Sequence, residues 1–371
     1  MKTMMSNLPN ELVEEIISRV PVKSTRIVRF TCKTWNSFFQ DPSFTIKHIG
    51  YASASSSREK DLVMISKNSK VELIRINLYG IDKSNDDFAL SINRKGTLIS
   101  RQNSLKVLCI SKVFHCNGLL LCVLRNIDNR VVVWNPYDGK RRWIKRRECK
   151  LERFALGYDK SCGSHKILKF FNNYLQIYDL ISDSDSWRVL DATFDRDIEI
   201  DYGKVDVSLK GNTYWYARVK STREGFLICF DFTRERFGQR LPLPFDDDNI
   251  ECNVSLSTVR EEKLAMLMLP RDTLEMEIWV TSKIEPDEVS WSKFLRVDMR
   301  PLVYVLKFKN FFIEEEKKIV VAFGEDDLGT LNTAYIIGEK GYFKSVDLRK
   351  SVDIKVRPFL CSYVPSFAQI E

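Results

Sequence analysis

The first fifty residues carry apolar side chains at helical spacing. From Leu12 to Val20 the apolar positions recur every three or four residues, and on a helical wheel they fall within an arc of about 140 degrees. The other side of this stretch is charged, with Glu15 and Arg19 spaced for an ion pair. Pro21 cannot continue a helix. The pattern therefore predicts one short amphipathic helix that ends before Pro21.

Two further short helices are predicted between this proline and the Asp41-Pro42 pair. The second carries an apolar set around Ile27, and the third repeats apolar residues at three- and four-residue intervals through Trp35. Three helices this short expose more apolar surface than they can bury against one another. Two interpretations stay open: the helices dock on a second protein, or they form a plain bundle or cap packed on the remaining chain.

From about Asp61 onward the pattern changes to short apolar runs of four to eight residues separated by Gly, Asp, Asn and Ser. One set of predicted strands spans 116–123, 165–171, 211–217, 262–269 and 317–323. A second set spans 131–136, 175–180, 226–232, 276–282 and 334–340. A third strand is announced each time by Trp143, Trp187, Phe237, Trp291 or Phe343.

The order repeats five times at intervals of about 45 to 55 residues, which is the spacing of propeller blades. Continuous apolar runs need cover on both faces, and stacking small sheets around a ring provides it. The strands of 62–78 and 88–110 supply a sixth unit. The fold class is therefore predicted as mainly β with a small α N-terminal part, a propeller of about six blades. Five or seven blades, or a pair of β-sandwiches, remain alternatives.

Composition narrows the class of protein. The chain has 371 residues, 44% of them hydrophobic, and a net charge of +8. Its N-terminus lacks the apolar core of a signal peptide and no run is long enough to span a membrane, so a cytoplasmic or nuclear protein without membrane contact is expected. The nine cysteines include no C-x-x-C pair and read as reduced. A metal site at His115, Cys116 and Cys122 is disfavoured because zinc-type spacing is absent.

No catalytic constellation is evident. The chain contains three histidines, His48, His115 and His165, and two of these lie in or beside apolar strands. Phosphate-binding glycine loops, G-x-S-x-G and H-E-x-x-H are absent from the sequence. A non-catalytic protein without cofactors is expected. A propeller enzyme or glycan binder is the competing class, and it would need a funnel of converging polar groups.

One basic cluster stands out. It consists of six cations around Trp143 and Ile144, namely Lys140, Arg141, Arg142, Lys145, Arg146 and Arg147. The cluster suits a nuclear import signal, a site for an acidic target, or an outer blade strand whose tryptophan points inward while its neighbours face water. Nucleic acid is disfavoured because stacking aromatics are not interleaved with the cations.

The N-terminal motifs resemble the F-box. Their order is Leu8-Pro9, then Val20-Pro21-Val22-Lys23-Ser24, Cys32-Lys33-x-Trp35 and Asp41-Pro42-x-Phe44. Three positions depart from the family pattern: Asn10 replaces an acidic residue, Thr25 a leucine and Thr31 a valine.

The remainder resembles the F-box-associated domain of plants, which is related to kelch propellers. The matching pieces include FHCNGLLLC, VVVWNPYDGKRRWI, LQIYDLISDSDSWRVL and GFLICFDFTRERF. The resemblance divides the chain into an F-box at 1–50, a linker at 51–60 and a propeller at 61–371. The chain lacks the Gly-Gly doublet of a regular kelch array.

These resemblances imply a substrate receptor of a cullin-RING ubiquitin ligase. The F-box would bind a Skp-type linker protein, and through it cullin and RING subunits, while the propeller holds an unidentified protein target. The residues implied for the linker contact are Leu8, Pro9, Ile16, Val20, Pro21, Cys32 and Trp35. A propeller scaffold whose F-box has lost its function is the alternative.

Overall fold

The structure is a computed structural model of the 371-residue chain. It describes residues 8–20, 22–39, 44, 47–48, 59–65, 71–77, 91–97, 110–124, 130–146, 152–171, 174–182, 184–192, 194–200, 206–245, 252–270, 273–299, 307–325, 331–347, 360–366, 368 and 370.

Three short helices form the N-terminal part. They are α1 (Asn10–Ser18), α2 (Val22–Arg29) and α3 (Lys33–Phe38). Pro9 precedes α1 in an extended conformation, and the predicted ion pair is present, with Arg19 Nη2 at 2.7 Å from Glu15 Oε1. The Cys32 sulfur accepts a hydrogen bond from the Trp35 amide at 3.4 Å and caps α3.

All other described elements except a 3₁₀ turn at Glu339–Gly341 are strands. The first half of the chain contains β1 (Glu59–Ile65), β2 (Val71–Asn77), β3 (Ser91–Thr97), β4 (Ile110–Cys116), β5 (Leu119–Leu124), β6 (Arg130–Trp134), β7 (Arg141–Lys145), β8 (Arg153–Asp159), β9 (Ser164–Phe171), β10 (Tyr174–Asp179) and β11 (Arg188–Val189). The second half contains β12 (Ile198–Ile200), β13 (Val207–Leu209), β14 (Asn212–Val219), β15 (Gly225–Asp231), β16 (Arg236–Phe237), β17 (Cys252–Val259), β18 (Lys263–Pro270), β19 (Glu275–Glu285), β20 (Glu288–Asp298), β21 (Lys307–Glu314), β22 (Ile319–Glu325), β23 (Leu331–Gly338), β24 (Phe343–Asp347) and β25 (Leu360–Ser362).

These strands form six antiparallel sheets, which we call blades 1 to 6. Blade 1 has the order β25-β1-β2-β3; blades 2, 3, 5 and 6 consist of β4–β7, β8–β11, β17–β20 and β21–β24. In blade 4, both β12 and β13 pair with β14, which continues to β15 and β16. The predicted mainly β architecture with a propeller and a small helical N-terminal part is confirmed.

The ring closes through the end of the chain. The innermost strands contact one another in turn, since β4 contacts β8 and β25, and β21 contacts β17 and β25. Strand β25 pairs with β1, with Val63 opposite Cys361. Blade 1 therefore takes its inner strand from the C-terminal region and its other three strands from residues 59–97.

The core lies between neighbouring blades. The side chains of β5, β6 and β9 are almost entirely buried. Unbroken apolar runs predict this for β5 and β6, whereas β9 also buries Lys166 and Lys169. Separate buried clusters join blade 2 to blade 3, blade 3 to blade 4, blade 4 to blade 5 and blade 5 to blade 6. Such dry, two-sided packing fixes each blade against its neighbours.

Candidate functional site

Helix α1 divides its apolar arc between the protein interior and the surface. Val13 and Ile17 are buried in a small cluster with Phe39 and Phe44. Leu12 and Ile16, on the other half of the same arc, keep 51% and 41% of their surface exposed. Half of the predicted arc therefore holds the helices together. The other half is open.

The open half belongs to a larger exposed apolar set. Among the described residues, eight large apolar side chains are exposed: Leu8, Leu12, Ile16, Ile27, Phe30, Tyr174, Ile181 and Val189. Five of these eight lie within the N-terminal helical part, which is a small fraction of the chain. Leu12 and Ile16 are spaced by four residues, so they follow one line along α1, and Leu8 lies just before this helix begins. Ile27 and Phe30, exposed by 76% and 81%, are spaced by three on α2 and the turn that follows it.

The residues predicted for the linker contact occupy two kinds of position. Leu8, Pro9 and Ile16 are exposed, and Val20 is half-buried. Cys32 is exposed although its sulfur caps α3, while Trp35 is half-buried and packs against the inner cluster. The structure thus brings the first group to the surface and puts Trp35 in a supporting position. Pro21 lies outside the described residues.

Three exposed side chains were missing from the predicted set. Leu12 shares the arc of α1, and Ile27 and Phe30 form the outer side of α2. The wheel of α1 included Leu12, and the apolar set of the second helix was visible in the sequence. What the sequence did not reveal is which side of each helix the other helices cover.

A charged network lies along the polar side of α1. Lys47 Nζ contacts Glu15 Oε2 at 2.8 Å and Glu14 Oε1 at 3.3 Å, and Glu15 also binds Arg19. The hydrogen bond from Lys47 to Glu15 raises the pKa of this lysine. Beside it, His48 is buried with Nε2 at 2.8 Å from the Val20 carbonyl oxygen, and burial lowers its pKa. These contacts hold the segment after α3 against α1.

The departures from the family pattern have distinct structural settings. Asn10 is the exposed first residue of α1, and Thr31 is exposed and donates its hydroxyl to the Ile27 carbonyl oxygen at 3.2 Å. Thr25 is fully buried, and its hydroxyl lies 3.1 Å from the Tyr137 hydroxyl in blade 2. The polar side chain at position 25 therefore has a partner in the propeller.

Comparison with known proteins agrees with this architecture. Residues 5–47 match the F-box domain family, and residues 62–370 match the F-box associated beta propeller domain family. The chain belongs to the F-box proteins that carry this propeller domain.

Curated relatives cover nearly the whole length. The Arabidopsis thaliana F-box protein At3g20690 is 48% identical over 98% of this chain and 99% of its own. The F-box/kelch-repeat protein At3g16740 of the same plant is 45% identical over 99% of both chains. An F-box joined to a propeller is the organisation of a substrate receptor, and both domains are typical of non-catalytic adaptors.

Two cations of the basic cluster make contacts within the propeller. Arg142 donates to the Leu180 carbonyl oxygen at 2.6 Å, and Arg146 Nη1 lies 2.7 Å from Glu152 Oε2. Trp143 packs inward on the blade 2 cluster. These contacts join blade 2 to blade 3 and leave Lys140 and Lys145 exposed. Arg141 is half-buried in β7. Arg147 lies outside the described residues, and an import signal here stays a prediction.

Among the described buried residues of the propeller, no arrangement suited to a metal ion is present. His115 and His165 are buried, and desolvation lowers the pKa of each ring to about 4. Burial raises the pKa of the Cys116 and Cys122 thiols. Within the described part of the chain, no three histidine, cysteine or carboxylate side chains gather as metal ligands. None of the described helices has the length and apolarity that a bilayer crossing requires.

Proposed function

We propose that this F-box protein is a substrate-receptor subunit of an SCF-type cullin-RING ubiquitin ligase. The F-box docks on a Skp-type linker protein, which connects it to the cullin and RING subunits, and the propeller holds a protein target in the cytoplasm or nucleus. The observation that carries this proposal is the concentration of exposed apolar side chains on α1 and α2. A surface of this kind is usual at a protein interface and costly to leave in water.

Burial of the exposed apolar side chains favours complex formation. Full burial of a Leu, Ile or Phe side chain contributes roughly 1.5 to 3 kcal/mol, and the five exposed F-box side chains have between about a third and four fifths of their surface left to bury. Association itself costs several kcal/mol in lost motion and side-chain ordering. Burying these open fractions together in a shaped groove would contribute about 4 to 9 kcal/mol, which is comparable with that cost.

The predicted contact residues take different roles in this proposal. Leu8, Pro9 and Ile16 line the interface with Val20 near its edge, together with Leu12, Ile27 and Phe30. Pro21 lies outside the described residues and stays a predicted contact. Cys32 and Trp35 support the interface indirectly, because the cysteine caps α3 and the tryptophan packs on the buried cluster between the helices. Residues 1–50 then form the docking module and 61–371 the target-binding module, joined by 51–60.

The contribution of the receptor is proximity. Holding a target near the ubiquitin-loaded enzyme converts a bimolecular encounter into a tethered one, which raises the effective concentration of the target. All three histidines are buried, so the imidazoles are placed for structure and not for acid-base work on a bound substrate. We propose that the chain itself makes and breaks no covalent bonds.

The direct test is co-purification of the full-length chain with a Skp-type linker protein, with wild type compared against Leu12→Glu and Ile27→Glu. Each substitution puts a carboxylate into the proposed contact, and we expect a loss of capture of at least tenfold. Ile181→Glu is the matched control, because Ile181 is exposed to the same 51% as Leu12 but lies in blade 3. It should bind like wild type.

Two results would overturn the proposal. One is a folded wild-type chain that never captures the linker protein, which would favour a propeller scaffold with a non-functional F-box. The other is equal capture by wild type and the two F-box variants, which would place the contact elsewhere.

A further inference from the structure

The turn between β6 and β7 joins the propeller to the F-box. Tyr137 lies in this turn, and its ring packs against the buried cluster of the helices, whose members are Val13, Ile17, Phe39 and Phe44. Its hydroxyl lies 3.1 Å from the Thr25 hydroxyl, and Thr25 is fully buried in α2. One residue of blade 2 therefore supplies both apolar cover and a hydrogen bond to the F-box.

The same turn is held by the C-terminal tail, residues 366–370. Asn135, two residues before Tyr137, is buried and donates from Nδ2 to the carbonyl oxygens of Ser366 and Ala368, at 3.2 and 2.9 Å. Its Oδ1 accepts a hydrogen bond from the Tyr137 amide at 2.9 Å. A single amide side chain thus bridges the tail and the residue that contacts the F-box.

The tail is itself firmly packed on blade 2. The Ser366 hydroxyl contacts the Asn117 carbonyl oxygen, and Gly118 approaches Ser366 so closely that an added Cβ would lie 2.2 Å from its Oγ. Ala368 and Ile370 are buried in the cluster between blades 2 and 3. The tail is consequently a fixed support for Asn135.

The geometry points to a positioning seat: we propose that Asn135 and Tyr137, backed by the C-terminal tail, fix the orientation of the F-box on the propeller. Thr25 is the F-box side of this seat. The family usually has leucine at this position. A buried threonine hydroxyl that made no hydrogen bond would lower the stability of the folded protein. The Tyr137 hydroxyl supplies that partner, so the departure at position 25 and the tyrosine at 137 act as a pair.

The purpose of the seat depends on the proposed receptor function. A linker protein on one side and a target on the other are brought to a defined separation only if the two domains do not rotate freely. A fixed seat removes that freedom without any contact to linker or target. Asn135 and Tyr137 are accordingly positioning residues.

The test measures the orientation itself. Spin labels on Lys33→Cys in the F-box and on Cys162 in the β8–β9 turn, both exposed positions, report the distance between the domains in a full chain whose other reactive cysteines, including the α3 cap Cys32, are serine. We expect one narrow distance distribution in wild type and a clearly broader one in Tyr137→Phe and Asn135→Asp. The aspartate keeps the acceptor for the Tyr137 amide but places an oxygen against the two tail carbonyls.

Tyr174→Phe is the matched control, since it removes the same hydroxyl from an exposed tyrosine of blade 3 and should leave the distribution unchanged. Thr25→Val provides a second break of the same hydrogen bond if Tyr137→Phe folds poorly. Linker capture is measured in parallel and should stay within twofold of wild type, because the exposed apolar side chains are untouched.

Identical distance distributions in wild type, Tyr137→Phe, Asn135→Asp and Thr25→Val would overturn the proposal that these residues fix the orientation of the F-box. A narrow wild-type distribution that broadens in the variants, in a chain that fails to capture the linker, would support the seat and overturn the receptor proposal instead.

Discussion

At the scale of single residues, the two propeller histidines show how burial sets chemistry. His115 Nε2 accepts a hydrogen bond from the Gly118 amide at 3.0 Å, and the ring is also hydrogen-bonded to the Val364 backbone. His165 is hydrogen-bonded to the Cys116 backbone. Desolvation, and for His115 the neighbouring His165, keep both rings neutral. Their role is to join strands, including the closing segment after β25.

The lowered pKa values of the two histidines predict that the folded protein loses stability at pH values above those at which carboxylates titrate. The folded pKa of each ring is about 4 and the ordinary value is 6.5. Between these values the unfolded chain binds more protons, so stability is complete above pH 6.5 and falls as the pH decreases. At pH 5.5 the loss should be about 1 kcal/mol per histidine.

Thermal unfolding at pH 7.5 and 5.5 checks this expectation. His165→Gln removes one titrating group, so its unfolding temperature should change less than that of wild type between the two pH values. An equal change in both proteins would contradict the assignment to buried histidine.

A buried ion cluster makes a second prediction. Lys166 Nζ lies 2.5 Å from Asp159 Oδ2 and 2.8 Å from Glu235 Oε1, and it links blade 3 to the β15–β16 turn. Burial tends to raise the pKa of Asp159, but the hydrogen bonds from Lys166 and Ser161 outweigh it and lower the pKa to about 2. Lys166→Ala leaves two carboxylates without their shared cation and should cost about 3 to 5 kcal/mol in urea unfolding.

The control for this cluster is Arg188→Ala. Arg188 also binds Glu235, at 2.7 Å, but its side chain is mostly exposed. Its removal should cost only about 0 to 1 kcal/mol. A loss for Lys166→Ala no larger than this would show that the buried cluster contributes little.

A glycine in β8 provides a steric prediction. A Cβ at Gly157 would lie 1.9 Å from Cδ2 of Phe232, a fully buried ring between blades 3 and 4. Gly157→Ala should therefore cost about 3 kcal/mol through overpacking. Gly341→Ala is the control, because its Cβ would meet nothing within 4 Å although its φ of +75° is left-handed. It should cost about 1 kcal/mol, measured by the same urea unfolding.

Exposure was the property that the sequence predicted least well. The arc on α1 identified the apolar residues correctly, yet it could not separate Leu12 and Ile16 from Val13 and Ile17. That separation depends on how α3 and Tyr137 pack, and Tyr137 lies 112 residues from Thr25. A pattern read along one helix contains no information about a contact so distant in the chain.

At the scale of elements, the strands that the sequence predicted are those buried on both faces. The two regular sets correspond to the second and third strands of blades 2 to 6, such as β5 and β6. The first strands were not assigned because their pattern mixes polar residues with apolar ones, as Ser111 and Lys112 do in β4. Such strands lie nearest the centre of the ring, where they contact the first strands of neighbouring blades.

Strand β25 is the element with the largest predicted effect on stability. Its three residues pair with β1 and complete the ring between blades 1 and 2. Deleting residues 360–371 should remove the strand that pairs with β1 and expose apolar surface on β4, so we expect loss of cooperative unfolding and aggregation, measured by denaturant titration and light scattering.

A shorter deletion separates closure from the F-box seat. A chain that ends at residue 365 keeps β25 but loses the carbonyl groups that Asn135 binds. It should unfold cooperatively, with a broadened distribution of the distance between the labels at positions 33 and 162. Ring opening in this shorter deletion as well would show that closure needs the tail and not β25 alone.

At the scale of the whole molecule, blade 2 is the junction of the F-box, the C-terminal tail and blade 3. It receives the F-box through Tyr137, the tail through Asn135, and blade 3 through Arg142 and Arg146. Two modules can then act at a fixed separation: the F-box with its exposed apolar side chains, and the propeller, which we propose holds the target. The resemblance in sequence predicted both modules, but their junction became visible only in three dimensions.

Ring closure by β25 also has a consequence for biosynthesis. A ribosome adding about 5 to 20 residues per second needs roughly 20 to 70 s for a chain of this length. Blade 1 lacks its inner strand until the last of these seconds, whereas the F-box emerges first. The exposed apolar side chains of the F-box are thus accessible throughout translation, and we expect that a nascent chain can bind the proposed linker protein, or a chaperone, before its propeller is complete.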